Sequence, residues 1–208
     1  LNTSAGVLYE VDMRLRPSGE AGLLVSTFAA YDDYQTNEAW TWESQALVRT
    51  RAVYGTQTLR NKFEQIRTKT LSKARTSAQL REEICNMREK MYQHLSSHSS
   101  DKFHLKTDKG GITDIEFIAQ YLVLNYAHDY PQMAVWSDNV RIFESAIACG
   151  ILTQEQGDKL KACYTGLRNQ IHHLNLLNKE SAVSGEQFSA ERAFVTQIWT
   201  TLFAPNKP

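Results

Sequence analysis

Hydrophobic and polar residues alternate near the start of the chain, over residues 7–16. One side of this segment is hydrophobic and the other is mostly charged, which is the period of a β-strand with one buried face. The hydrophobic side consists of Val7, Tyr9, Val11, Met13 and Leu15. The pattern therefore predicts a strand over 7–16, a turn over 17–19 and a possible short return strand over 23–26.

From residue 28 onward, the hydrophobic positions recur with the period of an α-helix. They predict a helix over 28–54 and then a bundle, for a total of about six or seven helices. The fold class is therefore mainly α, a helical bundle preceded by a short β segment. Several residues are typical of helix ends. Gly55 and Gly150 are expected to end helices, Ser137 to be an N-cap, and Thr153 with Gln156 to form a capping box.

The composition narrows the class of protein. The 208 residues include 23 Lys and Arg and 23 Asp and Glu, for a formal net charge of zero. Proteins that bind nucleic acid usually carry a basic excess, so this balance argues against that class. The longest apolar stretch, 115–127, is shorter than the roughly 20 residues that span a bilayer. With three scattered cysteines and no signal peptide pattern, we expect a cytoplasmic protein without disulfides.

The first residue is Leu1 rather than methionine. We therefore expect the sequence to be a piece of a longer chain.

The predicted strand carries the first group of residues that could act in chemistry. Its alternation places Asp12, Arg14 and Arg16 on one face. A carboxylate is a hard oxygen ligand for Mg²⁺, and guanidinium groups bind phosphate oxygens, so this set suits a metal with a polyphosphate. Gly19 and Gly22 in the following turn would let the backbone approach such a ligand. The alternative is a solvated strand face on which Asp12 pairs with the arginines, and the alternation by itself favours it.

A second group follows a pair of glycines. Gly110 and Gly111 precede a predicted helix over 112–128 whose first turns contain Asp114 and Glu116. Thr113 and Glu116 have the spacing of a capping box, and Asp114 suits the positive end of the helix dipole. The functional alternative is that these glycines and carboxylates face an anionic ligand or a cleft.

Other chemically distinctive residues favour structural interpretations. His172 and His173 are adjacent and point about 100° apart on a helix, so they do not predict a zinc site. Trp40 and Trp42 are expected in the core. Glu43, Arg49 and Arg51 are candidates for buried ion pairs between the β segment and the bundle.

Several long motifs resemble the bacterial glutamine synthetase adenylyltransferase family. They are VDMRLRPSG at 11–19 with Gly22 and Leu24-Val25, Tyr34-Gln35, AWTWE at 39–43, QALVR at 45–49, KGGITDIEF at 109–117 and WSDNVR at 136–141. The resemblance runs across nearly the whole chain. It is closest to the half of that enzyme that attaches AMP rather than the half that removes it.

The resemblance implies two parts in the chain. Residues 1–57 would be the C-terminal part of a nucleotidyltransferase-fold domain, and residues 58–208 a helical bundle domain. It also implies a function, the transfer of AMP from ATP to a tyrosine of glutamine synthetase, with a PII-type protein as regulator. Neither nucleic acid nor a membrane is an expected partner.

The resemblance also implies roles for single residues. Asp12 matches the third of three carboxylates that hold two Mg²⁺ ions, and it is therefore the candidate for both metal binding and catalysis. Arg14 and Arg16, with Gly19 and Gly22, would contact the nucleotide. Gly110, Gly111, Asp114 and Glu116 would face the cleft from the helical side.

One family feature is absent from these 208 residues, since no Gly-Ser followed by Asp-x-Asp occurs in them. That motif supplies the first two carboxylates in the family, so the isolated chain is expected to be inactive. The alternative function is a helical interaction module that binds glutamine synthetase or a signalling protein without nucleotide chemistry.

Overall fold

The computed structural model describes residues 2–4, 6–7, 12–13, 16–95 and 101–204. Within them it contains eight α-helices and two small antiparallel sheets, so the fold is mainly α as predicted. The helices are α1 Phe28–Asn37, α2 Thr41–Val48, α3 Gln57–Leu71, α4 Ser77–Leu95, α5 Ile112–Tyr126, α6 Asn139–Ala148, α7 Gln154–Leu176 and α8 Ser189–Phe203.

The sheets are both two-stranded. β1 Asn2–Thr3 pairs with β2 Gly6–Val7, and β3 Lys102–His104 pairs with β4 Ala182–Ser184. In the second sheet, Phe103 lies opposite Val183 and is fully buried. This pairing ties the segment before α5 to the segment before α8, and so it places those two helices next to each other.

Helix α5 forms the centre of the bundle. Ten of its residues are buried, and it packs against α2, α4, α6, α7 and α8. A helix that is hydrophobic on nearly all sides has to be enclosed by neighbours, which explains this position. Among the described residues, no helix is long and apolar enough to cross a membrane.

Helix α2 belongs to the same core although it lies early in the chain. Leu47 and Val48 are buried, and α2 packs against α3, α4 and α5. The segment before it, α1, packs against α3. The first two helices are therefore attached to the bundle on one side.

The β segment differs from its prediction. Of the predicted strand over 7–16, only Val7 lies in a strand, while Asp12, Met13 and Arg16 are not in regular structure. The remaining residues of that segment are outside the described part of the chain. The possible strand over 23–26 is wrong, because these residues are irregular. Alternation describes a strand only where a neighbouring strand pairs with it. Among the described residues β1 pairs with Val7, and no strand pairs with Asp12, Met13 or Arg16.

The predicted helix over 28–54 is two helices. The chain turns at residues 38–40, where the Glu43 side chain accepts a hydrogen bond of 2.9 Å from the Trp40 backbone N–H and so starts α2. Because of this turn, Trp40 is 71% exposed and Trp42 37% exposed, and the expectation that both lie in the core is wrong.

Other helix ends agree with the sequence or shift slightly. Thr153 and Gln156 form the predicted capping box, and Gly150 follows α6 with a φ of +70°. The N-cap of α6 is Asp138 rather than Ser137. The proposed capping box of Thr113 and Glu116 is wrong, because α5 begins one residue before Thr113 with Gly111 at its N-cap.

Candidate active site

Residues 16–22 form a tight loop that Arg16 closes. The Arg16 guanidinium donates hydrogen bonds to the carbonyls of Met13 (2.7 Å), Glu20 (2.9 Å) and Gly22 (2.9 Å). A guanidinium has five N–H donors in a fixed fork, so these three bonds leave two donors for another partner. Arg16 therefore shapes this loop, and its role in binding a nucleotide stays a prediction.

The glycines of the loop allow it to fold back on itself. A Cβ on Gly22 would lie 1.8 Å from the carbonyl oxygen of Pro17, a distance no side chain tolerates. Gly19 has a φ of +55°, in the left-handed region that glycine adopts without strain. The close backbone approach expected at these glycines is thus made within the loop, and contact with a ligand stays a prediction.

Tyr34 fastens the loop to the first two helices. Its hydroxyl accepts a hydrogen bond from the Ser18 backbone N–H (3.1 Å) and donates one to Glu43 Oε1 (2.7 Å). Glu43 in turn holds the start of α2 through Trp40. Burial and the hydrogen bond to Glu43 raise the pKa of Tyr34, so the hydroxyl keeps its proton at neutral pH. The sequence offers no spacing rule that pairs Tyr34 with Ser18 or with Glu43.

We expect the change Tyr34→Phe to loosen the loop. It keeps the ring but leaves the Ser18 N–H and the Glu43 carboxylate without this partner, at a cost of about 1 kcal/mol. Hydrogen exchange of the Ser18 amide should then be roughly five times faster. Tyr54→Phe is the matched control, because Tyr54 is 93% exposed. Unchanged exchange at Ser18 would contradict the role given to Tyr34.

Asp12 lies just ahead of the loop, in an exposed position. Arg14 is outside the described residues, and Arg16 points its guanidinium into the loop. The described residues therefore do not place these three side chains on one strand face. The described residues also contain no group of three or more His, Cys, Asp or Glu side chains arranged to hold a metal ion.

Asp114 is part of a buried network around the glycine pair. Its carboxylate accepts hydrogen bonds from Arg88, with which it forms an ion pair, and from the Gly110 backbone N–H (2.6 Å). Arg88 also donates to the Thr107 carbonyl at 2.8 Å. Both side chains of the ion pair are only 7% exposed. The network holds the loop before α5 against α4, which is a structural role for Asp114.

The two glycines allow close packing. Gly110 has a φ of +80°, and a Cβ there would lie 2.7 Å from the backbone oxygen of Arg192 in α8. A Cβ on Gly111 would lie 2.7 Å from the carbonyl oxygen of Leu105. Both glycines are buried, so contact of either with a substrate cleft stays a prediction.

Glu116 joins α5 to the end of α2. It forms a half-buried ion pair of 2.8 Å with Arg49, and the Arg49 guanidinium also donates to Asn139 Oδ1 at 3.3 Å. Burial acts to lower the pKa of Arg49, but the hydrogen bond and charge of Glu116 outweigh it and raise the pKa overall. The ion pair expected of Arg49 thus forms, with Glu116 as its partner, while Glu43 bonds to Tyr34 and Trp40 instead.

The predicted site residues thus fall into separate clusters. Arg16, Gly19 and Gly22 bond within their own loop and through Ser18 to α1. Asp114 instead bonds to Arg88 of α4 and to the Gly110 N–H, and Gly110 packs on α8. Outside these clusters, the three cysteines are free, in agreement with the absence of a disulfide framework.

Known proteins match this chain over nearly its whole length. A family model described as glutamate-ammonia ligase adenylyltransferase matches residues 1–66. The bifunctional glutamine synthetase adenylyltransferase/adenylyl-removing enzyme of Mannheimia haemolytica is 69% identical over 204 residues, which are 98% of this chain. The corresponding enzymes of Haemophilus ducreyi and Vibrio parahaemolyticus are 65% and 52% identical, over 100% and 97% of the chain. The chain belongs to the glutamine synthetase adenylyltransferase family.

The helical part of this family member matches a second model. This second model is described as GlnD PII-uridylyltransferase and covers residues 78–183. Because these residues are just over half of the chain, the chain also belongs to the family of that model. The chain spans about a fifth of the length of its adenylyltransferase relatives, 21% for the Mannheimia haemolytica enzyme and 22% for that of Haemophilus ducreyi.

Proposed function

We propose that this chain is part of an enzyme that transfers AMP from ATP to a tyrosine of glutamine synthetase. The observation that carries the proposal is the 69% identity over nearly the whole chain to a relative whose name includes this adenylyltransferase activity. At such identity the motif that ends in the loop after Asp12 serves the same chemistry in both proteins. Following its motifs, we assign the chain to the half that attaches AMP.

In the proposed reaction, the tyrosine oxygen of glutamine synthetase forms a bond to the α-phosphorus of ATP. The bond between the α-phosphorus and the bridging oxygen breaks, pyrophosphate leaves, and the tyrosine proton is released. Negative charge on the phosphates is stabilised by nearby cations. Arg14 and the two unused donors of Arg16 are the candidates in this chain, with Asp12 as the candidate catalytic carboxylate at the entrance of the loop.

Magnesium is the metal expected from the resemblance, with Asp12 as its ligand here. The described residues do not by themselves form a site for it, because Asp12 has no cluster of further ligand side chains around it. A metal of this kind usually takes several oxygen ligands.

We further propose that the helical part connects the enzyme to regulation by a PII-type protein. The match of residues 78–183 to a family described as a PII-uridylyltransferase supports this partner. The Arg49–Glu116 ion pair gives a physical link, since it joins α5 of that part to the end of α2.

The proposed function can be tested in a chimera. Residues 1–208 replace the matching 204 residues of the Mannheimia haemolytica relative, and transfer of labelled AMP to glutamine synthetase is measured. We expect transfer by the chimera and none by the isolated 208-residue chain. In the chimera, Asp12→Asn should lower the rate at least about a hundredfold, because the charge that acts on the reacting groups is lost.

Asp33→Asn is the matched control, because Asp33 is an exposed aspartate of α1 that bonds only to Asn37 in the described structure. Equal rates for Asp12→Asn and the unchanged chimera would refute the role of Asp12. Transfer by the isolated chain would show that its own residues complete the active site. A chimera that binds glutamine synthetase but transfers no AMP would instead support the interaction module.

A further inference from the structure

Two adjoining cavities lie between α4, the loop before α5, and α8. Their volumes are about 380 Å³ and about 580 Å³. Lys109, Thr196 and Thr200 line both cavities, so the two adjoin at these residues, and together we call them the Lys109 pocket. None of the residues proposed for AMP transfer at the Asp12 loop lines it.

The larger cavity is positively charged. Of the described residues that line it, two are cations and none is acidic, and the others are Ser189, Ala193, Thr196, Gln197 and Thr200. The cations are Lys109 and Arg192. In a chain of zero net charge, this local excess of positive charge with hydroxyl and amide donors favours binding of an anion.

Neither cation has a carboxylate partner among the described residues. Lys109 Nζ lies over the ring of Tyr92, 4.9 Å from its centre. Arg192 donates one hydrogen bond, to the Gly185 carbonyl (3.0 Å), and its guanidinium lies 4.1 Å from the centre of the Phe103 ring. Its Nε is buried and has no hydrogen-bond partner. Buried donors are nearly always paired in proteins, so the hydrogen-bonding capacity of the Arg192 guanidinium, which lines the larger cavity, is not fully used by the described residues.

The glycine pair brings these two cations together. Because Gly110 has no side chain, the loop packs directly on the Arg192 backbone, and a Cβ would approach its oxygen to 2.7 Å. Lys109, the residue before Gly110, is thereby placed beside Arg192. The KGG motif that the sequence singled out therefore has a second consequence besides packing, since it assembles a cationic pocket.

The smaller cavity offers aromatic surface next to the cations. Tyr92 and Trp199 line it, together with the exposed Glu89 and the buried Arg88–Asp114 ion pair. Trp199 is held in place by stacking on Phe203, with 4.2 Å between the ring centres. A planar ring of a ligand can pack against Trp199 beside Tyr92 while its charged end stays near Lys109.

We propose that the Lys109 pocket binds a small phosphate-bearing molecule with a planar ring, such as a nucleotide. Lys109 and Arg192 bind the phosphate, with Thr196, Gln197 and Thr200 as further donors, and Tyr92 and Trp199 contact the ring. This binding is independent of AMP transfer, and it requires only residues of the described bundle.

The proposal can be tested by calorimetric titration of the 208-residue chain with AMP, inorganic phosphate and adenosine. We expect AMP to bind more tightly than phosphate, and adenosine to bind at least about tenfold more weakly than AMP. Lys109→Gln should weaken AMP binding at least about tenfold, because a charged hydrogen bond is lost. Gln197→Glu, which places a negative charge in the pocket, should do the same.

Lys106→Gln is the matched control, because Lys106 is an exposed lysine of the same loop that does not line the pocket. It should leave AMP binding unchanged. Equal binding of adenosine and AMP, equal effects of the two lysine changes, or no binding of AMP and phosphate at millimolar concentration would each overturn the proposal. Because no AMP transfer is measured, these outcomes are separate from those that test the proposed function.

Discussion

Replacing Arg67 by methionine is expected to lower the free energy of unfolding by at least about 3 kcal/mol. Arg67 is 1% exposed and donates hydrogen bonds to the carbonyls of Leu47 (3.2 Å), Val48 (2.8 Å), Ala134 (2.6 Å) and Trp136 (3.2 Å). Methionine fills a similar volume but has no donor. It would leave four carbonyls without this partner, most of them buried, and each buried carbonyl costs about 1–3 kcal/mol.

The Arg67→Met change also removes a buried charge, and relief from the cost of burying that charge offsets the loss of stability only in part. Burial lowers the pKa of Arg67, and the nearby Glu64 carboxylate acts in the opposite direction. Removing the cation relieves its desolvation, but the carbonyls remain.

Urea unfolding followed by circular dichroism measures the change in the free energy of unfolding. Arg60→Met is the matched control in the same helix, because Arg60 is exposed and bonds only to the Gly55 carbonyl in the described structure, and it should cost less than about 1 kcal/mol. A loss that small for Arg67→Met would contradict the role assigned to it.

Asp114→Asn is expected to cost about 3–5 kcal/mol, because it leaves the Arg88 guanidinium buried without a counter-charge. The change is nearly isosteric, so packing around α5 is preserved and the loss reports on the charge. The Gly110 N–H also loses a charged acceptor. The same unfolding measurement applies to this variant.

Asp158→Asn is the control for Asp114→Asn. Asp158 also lies near the start of a helix and pairs with a lysine, but its side chain is 52% exposed. Exposed ion pairs contribute about 0–1 kcal/mol, so this variant should unfold almost as the parent chain does. Equal stability of the two variants would show that Asp114 is not needed for folding and would favour a ligand-facing role.

The helical periodicity predicted the bundle well, because an amphipathic stripe depends on one helix and its core. It did not predict the break between α1 and α2. That break is made by the Glu43 side chain bonded to the Trp40 N–H, and tryptophan is not a residue that usually starts a helix. The strand prediction over 7–16 is wrong at Asp12, Met13 and Arg16 for a different reason, since strand formation depends on a partner strand and not only on alternation.

Motif residues could be found in the sequence, but their partners could not. Asp114 and Arg88 are 26 residues apart, and Glu116 and Arg49 are 67 apart. No local spacing rule pairs such residues, so the carboxylates of α5 were given helix-capping or cleft-facing roles. Lys109 and Arg192 were missed as a pair for the same reason, because only the fold brings the loop and α8 together.

The attachment of α2 to the bundle has a consequence for exchanging parts between family members. A swap that joins two proteins between residues 57 and 58 would divide one core, since Leu47 and Val48 of α2 pack with α5. Residues 23–27, by contrast, are exposed and irregular. The junction of a recombined protein therefore belongs there, ahead of α1, so that both early helices stay with the bundle on which they pack.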